Sequence, residues 1–129
     1  MSTTTPQRNA IDWFEIPVRD IERAQDFYET LLGAPLRRET IAGNTLAVFS
    51  YAETGVGGCL MAGESAPAPS AVGTLIYLNA GPRLDDTLAR VAAAGGRITT
   101  PKVQLPDGMG CFAHVADTEG NRIGLHAMN

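Results

Sequence analysis

The sequence is poor in the residues that build metal sites and disulfides or that attract nucleic acids. It has two histidines and two cysteines in 129 residues, too few for a histidine-rich metal site or a disulfide framework. Its 10 basic and 14 acidic side chains give a formal net charge of −4, which offers no general attraction to nucleic acid or anionic lipid. No apolar run approaches the roughly 20 residues of a membrane span. A domain that binds or acts on something small is expected.

The length and the amino-terminal residues narrow the class further. A chain of 129 residues fits one domain and is too short for a (β/α)₈ barrel, which needs about 250 residues. The opening residues MSTTTPQRNA lack the apolar stretch of a secretory signal. We therefore expect a cytoplasmic protein in which residues 1–9 form a flexible tail and Cys59 and Cys111 stay reduced.

The first part of the chain predicts a strand followed by a helix. The alternation in AIDWFEIPV predicts a strand over 10–18 that is covered on both faces. Asp20 is a good N-cap, apolar residues then repeat at helical spacing, and Gly33 stands where a left-handed stop is expected. The spacing predicts a helix over about 21–32.

Three strands and a connector are predicted next. The strands are expected at 36–41, 46–51 and 56–61. A turn at Gly43-Asn44 joins the first two. The stretch GESAPAPSAV, residues 63–72, is rich in Pro, Ala and Ser and has little periodicity. It is typical of a connector.

The same order of elements starts again after the connector. A strand is predicted over 74–79, and a helix begins near Asp85-Asp86 and ends at Gly95-Gly96. Further strands are predicted at 97–104, 110–116 and 122–128. The chain therefore reads as strand, helix and three strands, written twice.

The two copies can be aligned residue by residue. Gly33 falls on Gly96 at an offset of 63 residues, and Leu60 falls on Leu125 at an offset of 65. A repeat of this length indicates duplication of a half-domain that buries its sheet against its twin. The alternative is an ordinary α+β domain whose order is accidental. We predict an α+β fold of two tandem βαβββ modules, at about 10–62 and 73–128.

Two stretches carry a resemblance to a known family. WFEIPVRDIERAQDFYETLLG resembles the opening strand and D-x-x-x-A-x-x-F-Y helix of the vicinal oxygen chelate superfamily, and DTEGNRIGLH resembles its last turn and strand. This superfamily includes glyoxalase I, bleomycin-resistance proteins and extradiol dioxygenases. The resemblance spans about residues 10–128. It implies one cup-shaped mixed sheet with the helices outside, and a chain that forms homodimers.

The resemblance also implies a metal site. In the superfamily, a divalent metal binds two neighbouring oxygens of a substrate and stabilises an enediolate or catecholate. Its His, Glu or Gln ligands come from the first and last strands of each module. Those positions fall here on Trp13, Cys59, Thr74 and Gly124. Tryptophan and glycine side chains cannot ligate and threonine is a poor ligand, so no cofactor is predicted.

The polar residues left in the cup are Glu15 and His126. Side chains two residues apart on a strand share a face, which places Glu15 beside Trp13 and His126 beside Gly124. We predict that Glu15 and His126 act as general base and acid, or orient a polar ligand. Alternatively, Glu15 and His126 are two ligands of a displaced divalent metal, which needs His114 or Glu53 as a third ligand. In the alternative, Glu15 pairs with Arg122 and His126 lies near a solvent-exposed end.

Substrate contacts are predicted for six further residues. These are Trp13, Cys59, Met61, Thr74, Tyr77 and His114. An aromatic floor suits a planar or apolar ligand. For Cys59, a strand context favours an inert thiol over a nucleophile.

These observations lead to one function and one alternative. We predict a glyoxalase/bleomycin-resistance-like protein that binds a small organic molecule in the cup between the modules. Its enzymatic version is a lyase or isomerase that moves protons without the usual metal. The alternative is a non-catalytic protein that sequesters an antibiotic or metabolite. No nucleic acid and no membrane partner is expected.

Overall fold

A computed structural model of the chain describes residues 9–129. The tail predicted over residues 1–9 lies outside the described residues, except for Asn9. Module one contains β1 (Trp13–Pro17), α1 (Ile21–Leu32), β2 (Arg37–Ile41), β3 (Asn44–Val48) and β4 (Gly57–Ala62). Module two contains β5 (Tyr77–Asn79), α2 (Leu84–Leu88), α3 (Val91–Ala94), β6 (Arg97–Gln104), β7 (Cys111–Ala116) and β8 (Arg122–Ala127). No helix among these residues is long and apolar enough to cross a membrane.

The strands form two four-stranded sheets of the same topology. The strand order is β1-β4-β3-β2 in module one and β5-β8-β7-β6 in module two. The first strand of each module runs parallel to its last strand, and the other pairs are antiparallel. The predicted α+β fold of two tandem βαβββ modules is confirmed.

Backbone hydrogen bonds mark equivalent points of the two modules. After β1, the N–H of Val18 donates to the carbonyl of Met61 at 2.9 Å. After β5, the N–H of Ala80 donates in the same way to the carbonyl of His126 at 2.7 Å. The first strands therefore align at an offset of 62 residues, and the last strands at the predicted offset of 65.

The helical segments of both modules end at a glycine with left-handed backbone. Gly33 follows α1 with φ 68° and Gly95 follows α3 with φ 105°. This conformation favours glycine because any side chain would strain it. Gly95 is thus the equivalent of Gly33, and the predicted match of Gly33 with Gly96 is wrong by one residue.

Helix α1 has the bounds that the sequence predicts. Its first turn is capped by Asp20, whose Oδ1 accepts a hydrogen bond from the N–H of Arg23 at 3.0 Å. Its buried residues recur at helical spacing and are Ala24, Phe27, Tyr28 and Leu31. Capping at one end and glycine at the other limit the helix to the residues between them.

The helix predicted for module two is interrupted. It forms two short helices, α2 and α3, because the N–H of Arg90 bonds to the carbonyl of Thr87 at 3.0 Å, three residues back. Such a bond tightens the turn and ends the regular α-helical pattern. The side chain of Arg90 donates from Nε to the carbonyl of Leu31 at 3.0 Å, so the break also contacts the end of α1.

Some local predictions shift by a few residues. The strands predicted over 10–18 and 46–51 lie at Trp13–Pro17 and Asn44–Val48. The hairpin turn lies at Ala42-Gly43, with φ 52° and 81°, and not at Gly43-Asn44. Asn44 instead pairs with Ile41, since a two-residue turn of this type needs positive φ at both central positions. The strand predicted over 74–79 begins only at Tyr77.

One hydrophobic core joins the modules. Its large, fully buried side chains come from both modules and include Phe27, Tyr28, Leu31, Leu60, Leu84, Val91 and Leu125. Burying one such side chain stabilises the fold by roughly 1.5–3 kcal/mol. Because both modules contribute, neither completes the core by itself.

The turn between β7 and β8, with the sequence DTEGN at 117–121, fastens module two to module one. The hydroxyl of Tyr28 donates to Asp117 Oδ2 at 2.7 Å. The amide of Asn121 donates to the carbonyl of Pro17 at 2.8 Å. The residues that carry the family resemblance therefore act at the junction between modules.

Glu119 is the most strongly bonded side chain of this turn. Its carboxylate accepts from the N–H groups of Arg19 and Asp20, both at 2.9 Å, and from Arg23 Nε at 2.7 Å. Burial would raise the pKa of Glu119, but hydrogen bonds from Arg23, these two N–H groups and Thr118 lower this pKa to about 2. Glu119 is therefore ionised throughout the physiological range.

Candidate ligand site between the modules

Each sheet presents one face to the helices and leaves the other face open. On β1, Ile16 belongs to the core shared with α1, whereas Trp13 and Glu15 are exposed. The prediction that this strand is covered on both faces is therefore wrong. Glu15 lies opposite Cys59, and Tyr77 lies opposite Gly124. By this register, the open face carries seven of the eight predicted site residues, namely Trp13, Glu15, Cys59, Met61, Tyr77, His114 and His126.

A cavity of about 530 Å³ lies where the two modules meet. Module one contributes Ile11, Phe14, Phe49, Tyr51 and Val56 among others, and module two contributes the continuous segment 74–79. This volume falls within the roughly 300–1,000 Å³ of small-molecule sites. We call it the inter-module cavity. Thr74 and Tyr77 are the predicted site residues that line it.

Tyr77 begins a series of three hydrogen-bonded side chains on module two. Its hydroxyl oxygen lies 2.8 Å from His114 Nε2, and His114 Nδ1 lies 3.0 Å from Thr100 Oγ1. Burial and, secondarily, the charge of Arg122 lower the pKa of His114. A lowered pKa keeps the imidazole neutral at physiological pH. The structure thus brings together two of the predicted substrate-binding residues.

Aromatic side chains cover the module-one side. Trp13 is 41% exposed and meets Tyr51 edge-on, with ring centroids 6.1 Å apart. A Cβ atom added to Gly57 would fall within the Tyr51 ring, so the glycine allows this ring to lie on the strand. Trp13 therefore supports the wall of the inter-module cavity through Tyr51.

Cys59 and Met61 belong to a second, small hydrophobic cluster of module one. Cys59 is fully buried and packs with Leu46 and Val48, and Met61 packs against the same cluster. Burial, with a smaller effect of the Glu15 carboxylate, raises the pKa of the Cys59 thiol to about 11. The thiol is protonated at neutral pH, which fits the inert role predicted from the strand context.

Glu15 lines a second and smaller cavity of about 130 Å³ together with Arg122. Among the described residues, these two charged groups do not form an ion pair, so the alternative pairing is not observed. Thr74 and Ile76 line both cavities. Glu15 is thus next to the inter-module cavity but outside it.

His126 lies on the open face of module two but lines a different cavity. Its Nε2 lies 2.7 Å from the carbonyl oxygen of Met109, to which it must donate because a carbonyl only accepts. It lines a third cavity with Asn79 and Met128. Over residues 9–129, no hydrogen bond joins His126 to Glu15, and the two line different cavities. The structure does not bring this predicted acid and base together.

Comparison with models of known protein families identifies the family of this chain. The profile described as Glyoxalase/Bleomycin resistance protein/Dioxygenase superfamily matches residues 10–125. The chain belongs to this superfamily. No curated protein matches it closely enough to count as a relative.

Several solved structures resemble the chain in fold. Glyoxalase I from Zea mays is 20% identical, with a TM-score of 0.67 over 90% of this chain but only 45% of its own. The antibiotic-binding protein TnmS3 from Streptomyces sp. CB03234 is 21% identical, with a TM-score of 0.65 over 95% of this chain and 98% of its own. The chain therefore spans less than half of the maize enzyme and nearly all of TnmS3. Identities this low show a common fold.

The residues at the superfamily's ligand positions do not fit a metal ion. A Cβ atom at Gly124 would fall inside the Tyr77 ring, so the space of a ligating side chain is filled. Trp13 supplies an indole ring and Cys59 a buried, protonated thiol. Among residues 9–129, no group of three or more His, Cys, Asp or Glu side chains is placed to hold a metal.

The sequence analysis missed part of the cavity wall. Phe14 alternates with Trp13 and Glu15, so periodicity assigned it to the other face of its strand. It nevertheless lines the inter-module cavity. Gly58 is the sequence feature that could have indicated the position of Phe14, because a Cβ atom at Gly58 would fall within the Phe14 ring. The glycines of β4 therefore mark the strand positions over which aromatic rings lie.

Proposed function

We propose that this protein binds a planar, largely apolar small molecule in the inter-module cavity and holds it without changing it chemically. The observation that carries the proposal is the cavity itself, with aromatic rings from both modules and a volume of about 530 Å³. Planar ligands stack on such rings and gain from removing apolar surface from water.

The chemistry around the cavity supports binding over turnover. Proton transfer needs an acid and a base within reach of one ligand. Glu15 and His126 line two different cavities instead. TnmS3, which has the same fold, is described as an antibiotic-binding protein. Sequestration of an antibiotic or a similar metabolite is the function that we propose for this chain.

The first experiment blocks the cavity. Ser50 is exposed and lines it, so Ser50→Trp should fill it with an indole ring. The probe is anthraquinone-2-sulfonate, a planar tricyclic anion, and calorimetric titration measures its binding. We expect the wild-type protein to bind the probe and Ser50→Trp to weaken binding by at least about tenfold, or 1.4 kcal/mol.

Ser65→Trp is the matched control, because Ser65 is also exposed in a loop but lines none of these cavities. It should bind the probe as the wild-type protein does. Equal binding by wild type and Ser50→Trp would show that the ligand sits elsewhere. Steady conversion of the probe to a product would reject sequestration and favour the lyase or isomerase, with Glu15→Gln as the next variant to assay.

The homodimer expected from the resemblance stays a prediction. Sedimentation equilibrium of the full chain, with and without the probe, would check it.

A further inference from the structure

Three polar side chains form a hydrogen-bonded series on the open face of module two. The Tyr77 hydroxyl oxygen lies 2.8 Å from His114 Nε2, and His114 Nδ1 lies 3.0 Å from Thr100 Oγ1. The strand register places Thr100 on β6 opposite His114 on β7, and His114 opposite Gly124 on β8. Neither His114 nor Thr100 lines the inter-module cavity. The series therefore lies over the sheet of module two and not in the cavity.

The order of these groups is that of an activated nucleophile. Such sites hold a hydroxyl within hydrogen-bond reach of a base, and a third group orients the base. When Nδ1–H of His114 donates to Thr100 Oγ1, Nε2 of the neutral imidazole is an acceptor and receives the hydrogen bond of the Tyr77 hydroxyl. Among residues 9–129, no other tyrosine has a histidine as its hydrogen-bond partner. Tyr77 is thus the tyrosine that a base can activate.

The hydroxyl and the imidazole are held in place and remain accessible. The Tyr77 ring lies where a Cβ atom at Gly124 would fall, and Phe112 meets it edge-on with ring centroids 5.9 Å apart. Tyr77 is nevertheless 48% exposed. Burial and, secondarily, the charge of Arg122 lower the pKa of His114, which keeps the imidazole able to accept a proton at physiological pH. A compound in solution therefore meets a fixed hydroxyl beside a neutral base.

We propose that Tyr77, His114 and Thr100 form a nucleophilic triad that takes an acyl group from an activated aryl ester. The Tyr77 oxygen attacks the carbonyl carbon of the ester while His114 Nε2 accepts the phenol proton. The bond from the Tyr77 oxygen to the acyl carbon forms, and the bond from that carbon to the aryl oxygen breaks. The aryl oxide leaves with the electron pair, and His114 then releases the proton to solvent.

The class of ester follows from the groups of the triad. It contains a base but no separate acid that could protonate a leaving group, so the leaving group must depart as a stable anion. Aryl oxides with electron-withdrawing substituents do so. The activity goes beyond the proposed function, because it modifies Tyr77 on the sheet face and needs no ligand in the inter-module cavity.

The test measures acetylation of the full chain by p-nitrophenyl acetate, with peptide mass spectrometry at short reaction times. Tyr51 is the matched residue, because it is also 48% exposed and meets an indole ring instead of an imidazole. We expect Tyr77 to be acetylated at least about tenfold faster than Tyr51, which is below the roughly 10²–10⁴-fold that a positioned acid or base contributes in enzymes. Acetylation of Lys102, the only lysine of the chain, normalises the rates between variants.

Variants of His114 and Thr100 separate a base from a structural contact. In His114→Gln, the amide oxygen can accept from the Tyr77 hydroxyl but does not take up its proton, so Tyr77 should be acetylated only as fast as Tyr51. Thr100→Val removes the oxygen that orients the imidazole and should slow acetylation of Tyr77 about three- to tenfold, the range of one neutral hydrogen bond. Thr100→Ser keeps the hydroxyl and should restore the wild-type rate.

Three results overturn the proposal. Equal rates at Tyr77 and Tyr51 in the wild-type protein would show that Tyr77 is not activated. A wild-type rate at Tyr77 in His114→Gln would show that the imidazole is not its base, and equal rates in Thr100→Val and Thr100→Ser would remove Thr100 from the triad. Thermal unfolding identifies any variant that does not fold, and the remaining variants then decide. Binding of anthraquinone-2-sulfonate enters none of these measurements, so the triad and the proposed function can fail separately.

Discussion

Glu119→Gln tests whether a buried carboxylate holds the two modules together. The substitution keeps the shape and one oxygen acceptor but removes the charge that faces Arg23. In the wild-type protein that carboxylate accepts from Arg23 Nε at 2.7 Å and from two backbone N–H groups at the start of α1. The side chain is fully buried, whereas that of Arg23 is 53% exposed.

The magnitude follows from proton linkage. The folded protein lowers the pKa of Glu119 from its ordinary value of 4.5 to about 2, and each unit corresponds to about 1.4 kcal/mol. The full shift would give about 3 kcal/mol, but Arg23 is half exposed and water screens its charge. We therefore expect Glu119→Gln to lower the free energy of unfolding by about 1–2 kcal/mol at pH 7.

The sign of the pH dependence is also determined. Because the pKa of Glu119 is lower in the folded state, its stabilisation is complete above pH 4.5 and is lost as the pH falls towards 2. In this window the wild-type protein should lose stability more steeply than Glu119→Gln, and the difference between them should shrink. Urea denaturation at a series of pH values, followed by circular dichroism, measures both curves.

Glu53→Gln is the matched control, since Glu53 is exposed in a loop and the same charge is removed. It should change the free energy of unfolding by less than about 0.5 kcal/mol at pH 7. Equal stability of Glu119→Gln and Glu53→Gln, or parallel curves for wild type and Glu119→Gln between pH 4.5 and 2, would refute the role of this carboxylate.

Three further outcomes are expected. Tyr28→Phe removes the buried hydrogen bond to Asp117 and should cost about 1–2 kcal/mol of stability in urea denaturation. Gly124→Ala places a methyl group where the Tyr77 ring lies, so it should cost about 1–3 kcal/mol and should displace that ring, as tyrosine resonances in nuclear magnetic resonance would report. Cys59 is fully buried, and its pKa is raised to about 11, so Ellman's reagent at pH 8 should label it only after denaturation.

Each of these outcomes has a control. Tyr51→Phe is the control for Tyr28→Phe. Tyr51 is 48% exposed, so Tyr51→Phe should leave the free energy of unfolding within about 0.5 kcal/mol of wild type. An equal loss in the two variants would show that the hydrogen bond of Tyr28 to Asp117 does not stabilise the fold. Gly55→Ala is the control for Gly124→Ala, because Gly55 is exposed, has no positive φ and has no ring beside it. Rapid labelling of Cys59 in the native protein would contradict its burial.

Local patterns in the sequence determined the elements and their order. Asp20 and Gly33 delimit α1, since capping and left-handed backbone depend on neighbouring residues alone. The period of two on the strands likewise placed Trp13, Glu15 and Cys59 on one face, because side chains alternate whatever the sheet packs against. The duplicated βαβββ order followed from the same signals, although its offset at the helix stop was wrong by one residue.

The tertiary structure decided what those faces do. Glu15 and His126 belong to equivalent modules, yet they line different cavities, because the docking of the modules and not the period of a strand sets which residues meet. The contact of Tyr77 with His114 joins residues 37 positions apart, and that of Arg23 with Glu119 joins residues 96 apart. The first pair depends on the strand order within one sheet, and the second on how the two modules pack around a shared core. No local pattern encodes either. The inter-module cavity likewise depends on how the modules pack.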